Sequence, residues 1–337
     1  MLQSEIVNAL RNPEAYDEKV DYIRVLQTHI SYIFLTGRYA YKIKKPVNFG
    51  FLDFTTLDKR RFYCEEEVRL NRRLCGDMYI GVLPITYSSG KFKIGGSGEP
   101  VEYTVKMREL PQEALMSERL KRGEIDVKVM DDIARILSDF HRRADTNREI
   151  REYGSIRIVK FNWDENFDQT REFIGKTVER GEYLFIKRVI NEFLEGHRSL
   201  FELRQKSDRI RECHGDLHSG NIFIADKIYI YDAIEFNKRF RYCDVASDMA
   251  FLLMDLEFLN RRDLSARLLD RYVDYSGEGG DFLEILPFYK CYRAYVRGKV
   301  TSFKLNDPYI SDEDKERAVE TAERYFQMSR EYAEQLF

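Results

Sequence analysis

Residues 213–221 read Cys213-His214-Gly215-Asp216-Leu217-His218-Ser219-Gly220-Asn221, and they contain the pattern H-G-D-x-x-x-x-N. Asn221 opens an apolar run that lasts to Ala225. A second run, Ile228 to Tyr231, follows across Asp226-Lys227 and ends at Asp232. Two short β-rich runs joined by two turn-forming residues predict a tight hairpin, which returns the chain beside its start and brings Asp232 close to Asn221. The chemistry explains the spacing. A loop carboxylate can orient a hydroxyl and accept its proton. An amide oxygen and a carboxylate beside each other are hard oxygen ligands of the kind Mg2+ prefers. With each fixed residue at about one in twenty, a chance match in a chain of this length is roughly 0.2%, so the pattern outweighs a bare turn.

Downstream, Cys243-Asp244-Val245-Ala246-Ser247-Asp248 precedes an apolar helical stretch. Asp244 and Asp248 are expected to cap that helix and fix the loop rather than bind metal. His214 is expected to pack the loop. Glu235, three residues after Asp232, could supply a contact beside the metal position. Arg293, Arg297 and Lys299 form a basic stripe on a late helix, read as a solvated face.

Upstream, residues 4–11 predict a short helix, and the character changes from Asp21 to Val47. Val25-Leu26, Ile30 to Leu35 and Tyr39 to Ile43 are β-branched and aromatic, with Thr36-Gly37-Arg38 as a turn and Pro46 as a stop. A helix is predicted from Leu57 to Cys75, capped by Thr55 or Thr56 and ended by Gly76. Strands near 79–87 and 101–108 follow, around a turn at Gly95-Gly96-Ser97-Gly98. After Leu110-Pro111 the pattern is mainly helical: 113–121, 126–143, 165–179, 183–206, 246–258, 262–275, 281–304 and 311–335. Asn162-Trp163-Asp164-Glu165 reads as a capping box for the third of these. The fold class is therefore α+β, bilobal: a small N-terminal antiparallel β lobe with one key helix (1–110) and a larger α-helical C-terminal lobe (111–337).

Protein kinases carry H-R-D-x-x-x-x-N as their catalytic loop. The stretch from His214 to Asp248 resembles, more closely, the aminoglycoside phosphotransferase and choline kinase superfamily, which shares the protein-kinase fold and writes the loop H-G-D-x-x-x-x-N. That superfamily follows its metal aspartate with a G-D-x-x-x-D-like segment, where Cys243 here replaces the Gly. Asp232-Ala233-Ile234-Glu235-Phe236-Asn237 and Arg239-Phe240-Arg241-Tyr242 look like a bacterial and archaeal branch often fused to a P-loop ATPase domain. The chain has no G-x-x-x-x-G-K-[ST] and looks like the stand-alone form.

The resemblance implies a Mg2+-dependent phosphotransferase that moves the γ-phosphate of ATP or GTP to a hydroxyl of a small-molecule acceptor. Asp216 would be the catalytic carboxylate, and Asn221 and Asp232 the metal ligands. Tyr39-Ala40-Tyr41-Lys42 is similar to the kinase V-A-I-K, so Lys42 would grip the nucleotide phosphates, with Lys44 as competitor. Among Glu65, Glu66 and Glu67, Glu67 sits toward the packed side of its helix and is the preferred partner. No G-x-G-x-x-G precedes Lys42. The covering turn would be the glycine-free Thr28-His29-Ile30-Ser31, and Tyr103 to Arg108 the hinge strand. A nucleotide-binding regulator without transfer activity is the alternative. A protein kinase is weaker, because no A-P-E segment follows Asp232.

The bulk composition agrees. The 337 residues carry 55 basic and 58 acidic side chains, a net charge of −3, which gives no general attraction to nucleic acid or an anionic membrane. The 23 Phe and 22 Tyr supply core material. Five cysteines without a C-x-x-C pair fit a reducing compartment. Met1-Leu2-Gln3-Ser4-Glu5 lacks the basic-then-apolar run of a signal peptide, so the expected location is the cytoplasm.

Overall fold

The computed structural model describes residues 3–20 and 22–337. Met1, Leu2 and Asp21, touched by the leader reading and by the start of the strand-rich stretch, lie outside the described residues. The chain forms two compact units, Met1–Gly123 with Gly220–Phe240, and Glu124–Ser219 with Arg241–Phe337.

The first unit opens with helix α1 (Gln3–Ala9) and strands β1 (Arg24–Gln27), β2 (Ser31–Leu35) and β3 (Tyr39–Lys44). Helix α2 (Leu57–Cys75) follows, then β4 (Tyr79–Ser88), β5 (Lys91–Ile94), β6 (Pro100–Arg108) and helix α3 (Met116–Lys121). The six strands form one antiparallel sheet in the order β1-β2-β3-β6-β4-β5. The pleat divides β3 between the two faces. Ala40 joins the core formed with Cys64 and Val68 of α2, whereas Tyr41 and Ile43 join Ile6, Val7 and Leu10 near α1 on the other face. The lysines at 42 and 44 share the face of Ala40 and so point toward α2.

Helix α2 runs over the span expected. Thr56 Oγ1 accepts the Lys59 N–H at 3.3 Å, and Gly76 closes the helix at φ 35° with its N–H on the Arg72 carbonyl. Strand β5 was not read from the sequence. It returns through Ser89 and Gly90, both at positive φ (52° and 79°), the backbone a tight hairpin requires. The residues Gly220–Phe240 complete this unit as a hairpin of Ile222–Ile224 against Ile228–Ile230, with Ile222 opposite Ile230.

The second unit is helical. Gly280–Ser302 lies against Asp312–Ala333 and Val245–Phe258, and Val127–Arg143 against Arg262–Ser276. Trp163, Phe167, Phe288 and Tyr295 interlock edge to face or stacked in its core. Two helices read from the sequence are corrected. The helix read as 165–179 spans Ile156–Thr170, so Asn162 to Glu165 lie inside it and cap nothing. The buried series Val159, Trp163, Asn166, Phe167 and Thr170 holds the helical period and overrides the local capping signature. The helix read as 183–206 is two, Arg180–Gly196 and Arg198–Lys206, broken at His197. A short ladder of Ile210–Glu212 against Tyr242–Asp244 was not anticipated, and it frames the loop that carries Asp216.

Candidate active site

In the first unit, β3 and α2 deliver an ion network. Lys42 Nζ lies 2.8 Å from Glu67 Oε1 and 2.8 Å from Asp232 Oδ1. Lys44 Nζ lies 2.7 Å from Glu67 Oε2 and also bonds Glu235 Oε1. Glu67 therefore holds both lysines between which the sequence left a choice, while Glu66 points outward to Arg69. Burial opposes the charge on Lys42, but Asp232, Glu67 and Glu235 outweigh it and hold the ammonium well above its usual value. Burial likewise opposes ionisation of Glu67, and the two lysines overcome it, bringing the carboxyl down to about 2. For Glu235 burial dominates and raises the carboxyl despite Lys44.

Asp232 follows the second hairpin strand. Tyr231 donates its N–H to the Asn221 carbonyl at 3.0 Å, so the ladder sets Asn221 opposite the residue that precedes Asp232. Asp232 itself adopts a left-handed φ of 63°, uncommon for a side-chain-bearing residue. The next N–H, of Ala233, is anchored on Asn71 Oδ1 at 2.9 Å, and Asn71 Nδ2 donates to the Glu67 carbonyl. One turn of α2 thus fixes both Glu67 and the backbone beyond Asp232. The Asp232 carboxylate, partly exposed and beside Lys42, is a hard oxygen donor of the kind a divalent cation takes.

The glycine-free turn joins β1 to β2. Thr28 Oγ1 accepts the N–H groups of Ile30 (3.3 Å) and Ser31 (3.0 Å), so these amides already have an acceptor within the turn.

In the second unit, Asp216 sits on the loop after Ile210–Glu212. Its side chain is 35% exposed, with His218 Nε2 at 3.5 Å from Oδ2. Burial works against its charge, but His218, Arg297 and His214 outweigh this and keep the carboxyl below its usual range. His218 is raised in turn, burial opposing and Asp216 favouring its charge.

The loop is held from beneath. Asp248, fully buried, accepts the N–H of His214 on Oδ2 (3.0 Å) and that of Gly215 on Oδ1 (2.9 Å). His141 Nε2 lies 3.2 Å from the same Oδ2, and its Nδ1 meets the Tyr272 hydroxyl at 2.8 Å. Gly215 turns at φ 86°, which a side chain would resist. Arg293 Nη1 donates to the Gly215 carbonyl at 2.9 Å, and Asp255 takes the Ser219 N–H at 2.8 Å. Asp244 caps the following helix through the Ala246 N–H and receives a two-bond grip from buried Arg204. The expected roles of Asp244 and Asp248 correspond to these contacts. The stripe of Arg293, Arg297 and Lys299 is not a solvated face: Arg293 and Lys299 are buried, and Arg297 is half-buried.

Asn71, Glu235 as a partner of Lys44, and His141 were not singled out for these parts. Asn71 carried a signal, lying one helical turn after Glu67. His141 carried none, because 107 residues separate it from Asp248.

This is the α+β fold, antiparallel sheet first and helices after, of small-molecule kinases. A choline/ethanolamine kinase family protein from Mesorhizobium loti shares it with a TM-score of 0.52 at 12% identity, over 98% of this chain and 100% of that one. A microcompartment-associated aminopropanol kinase reaches 0.54 at 14% identity, over 99% and 98%. An amicoumacin kinase in complex with AMP-PNP, Ca2+ and Ami reaches 0.51 at 11%, over 96% and 93%. The likeness to these structures is one of fold. No family model matches the chain. Uncharacterized proteins of Mycobacterium tuberculosis and Mycobacterium bovis are each 36% identical over 280 residues, 83% of this chain and 54% of theirs. The chain spans about half the length of these curated relatives. No helix among the described residues is long and apolar enough to cross a membrane.

Proposed function

We propose that the chain is a Mg2+-dependent phosphotransferase that moves the γ-phosphate of ATP or GTP to a hydroxyl of a small molecule. The observation that carries this reading is Lys42 held between buried Glu67 and the aspartate that ends the hairpin. A cation fixed by a helix glutamate, next to a hairpin carboxylate, is equipped to grip phosphates. Lys42 and Glu67 bind the nucleotide, and Asn221 and Asp232 hold the metal. Bound there, a divalent cation would neutralise charge on the phosphates. Asp216, kept ionised, aligns the acceptor hydroxyl and accepts its proton. The first lobe supplies nucleotide binding and the helical lobe catalysis and acceptor binding. Proteins named as choline/ethanolamine, aminopropanol and amicoumacin kinases share the fold, and one is complexed with a nucleotide analogue and a divalent cation. All five cysteines lie among the described residues and none is in a disulfide, in keeping with a reducing compartment.

The test is ADP release with Mg2+ and either ATP or GTP across a panel of hydroxyl metabolites. Asp216→Asn should lower turnover about 10²–10⁴-fold while the nucleotide Kd moves little. Unchanged turnover removes Asp216 from its role. One observation favours a nucleotide-binding regulator instead: Thr28 occupies turn amides that a glycine-rich loop would offer to phosphates. ATP binding with no phosphorylated product across the panel would support that reading.

A further inference from the structure

Glu67 is fully buried and carries a lysine on each oxygen, Lys42 on Oε1 and Lys44 on Oε2. Lys44, only 1% exposed, reaches on to buried Glu235. Two lysines thus face three carboxylates, and the two ends of the network differ. The Asp232 side chain is 42% exposed, whereas the Lys44–Glu235 end is shut off from solvent. An incoming anion therefore meets the network at Lys42 and Asp232.

Consider what changes there. A phosphate that takes Lys42 from Asp232 leaves Lys42 on Glu67 and Glu67 on Lys44, so no buried carboxylate is stranded. Without Lys44, buried Glu67 and Glu235 would lose the cation they share, and Glu67 would hold Lys42 against any phosphate that competes for it. We propose that Lys44 and Glu235 form a positioning pair that neutralises the inner side of Glu67, so that Lys42 can exchange Asp232 for the phosphates of the donor nucleotide. This rests on the reading of the network as the nucleotide grip.

The experiment is calorimetric binding of Mg·ATP, and of ATP in EDTA, to wild type, Lys44→Met and the double variant Lys44→Met/Glu235→Gln, with thermal melts to show that each is folded. Lys44→Met should weaken the Kd at least about ten-fold in both conditions, because a buried carboxylate loses its partner. The double variant, which removes the pair as a neutral unit, should return to within about three-fold of wild type. A merely structural pair would lower the melting temperature and leave the Kd alone. Lys44→Gln, which keeps an N–H donor for Glu67, reads the same loss should Lys44→Met not fold. A folded Lys44 variant with wild-type Kd overturns the proposal, as does a double variant no better than the single. Wild-type protein that binds no ATP overturns the nucleotide reading and this inference with it, so the two failures are told apart.

Discussion

Both units bury charge at the heart of their candidate site, but they pair it differently. Asp248 spends its two oxygens on the N–H groups of His214 and Gly215, partners fixed by the covalent chain. Glu67 spends its oxygens on two lysines, and one of those also holds a half-exposed aspartate. Backbone amides cannot leave, whereas a lysine can exchange one anion for another. The first arrangement suits a loop that must hold its shape, and the second suits a grip that must open to a ligand.

The comparison breaks most visibly at Asp248. Asp248→Ala strands two buried N–H groups and removes the partner of His141, and it should destabilise the protein by about 3–5 kcal/mol in urea unfolding. A loss below about 1 kcal/mol would mean the loop is held by something other than this carboxylate. Lys42→Met should do much less to the fold, about 1–3 kcal/mol, because Glu67 keeps Lys44 and Asp232 turns to solvent. Its larger effect should be on nucleotide binding, read by the Kd for Mg·ATP. A variant that unfolds yet binds nucleotide normally when folded would reverse the contrast between the units.

Acid sharpens the same contrast. Glu67 titrates near 2 in the folded chain, against 4.5 for the free side chain. A carboxyl depressed by folding adds stability above its unfolded value and loses it as the pH falls toward the folded one. The stability difference between wild type and Glu67→Gln should therefore be full above about pH 4.5 and shrink toward pH 2. Urea unfolding at a series of pH values checks this, and a constant difference would show that Glu67 is not held ionised by the lysines.

How much of this the sequence made legible depends on the reach of each interaction. Helix α2 follows from local signals, a cap and a closing glycine, and the 222–230 hairpin from two short β-rich runs, joined by the three residues 225–227 rather than by Asp226-Lys227 alone. The strand alternation put Lys42 and Lys44 on one face, and helix geometry turned Glu67 inward. What stayed hidden was settled by distant partners. Glu67 takes both lysines, and Glu235, 191 residues beyond Lys44, closes the network behind that lysine. The Asn162 to Glu165 capping signature was overruled by the buried face of Ile156–Thr170. The basic stripe reads as solvated until Gly215 supplies a carbonyl for Arg293.

The smallest expected effect tests that reasoning on neighbouring residues of one helix. Glu66 and Glu67 are chemically identical and adjacent, so propensity and composition cannot separate them. The 100° step between them does: Glu67 meets two buried lysines, and Glu66 meets Arg69 one turn on, at the surface. An exposed i,i+3 pair gains little, because water screens the attraction and two long side chains must be ordered to make it. Glu66→Ala should thus change stability by less than about 0.5 kcal/mol and leave the Mg·ATP Kd where it was. Should Glu66→Ala weaken nucleotide binding as Glu67→Gln does, the helix would be rotated in solution, and the ion network on Lys42 would belong to the wrong glutamate.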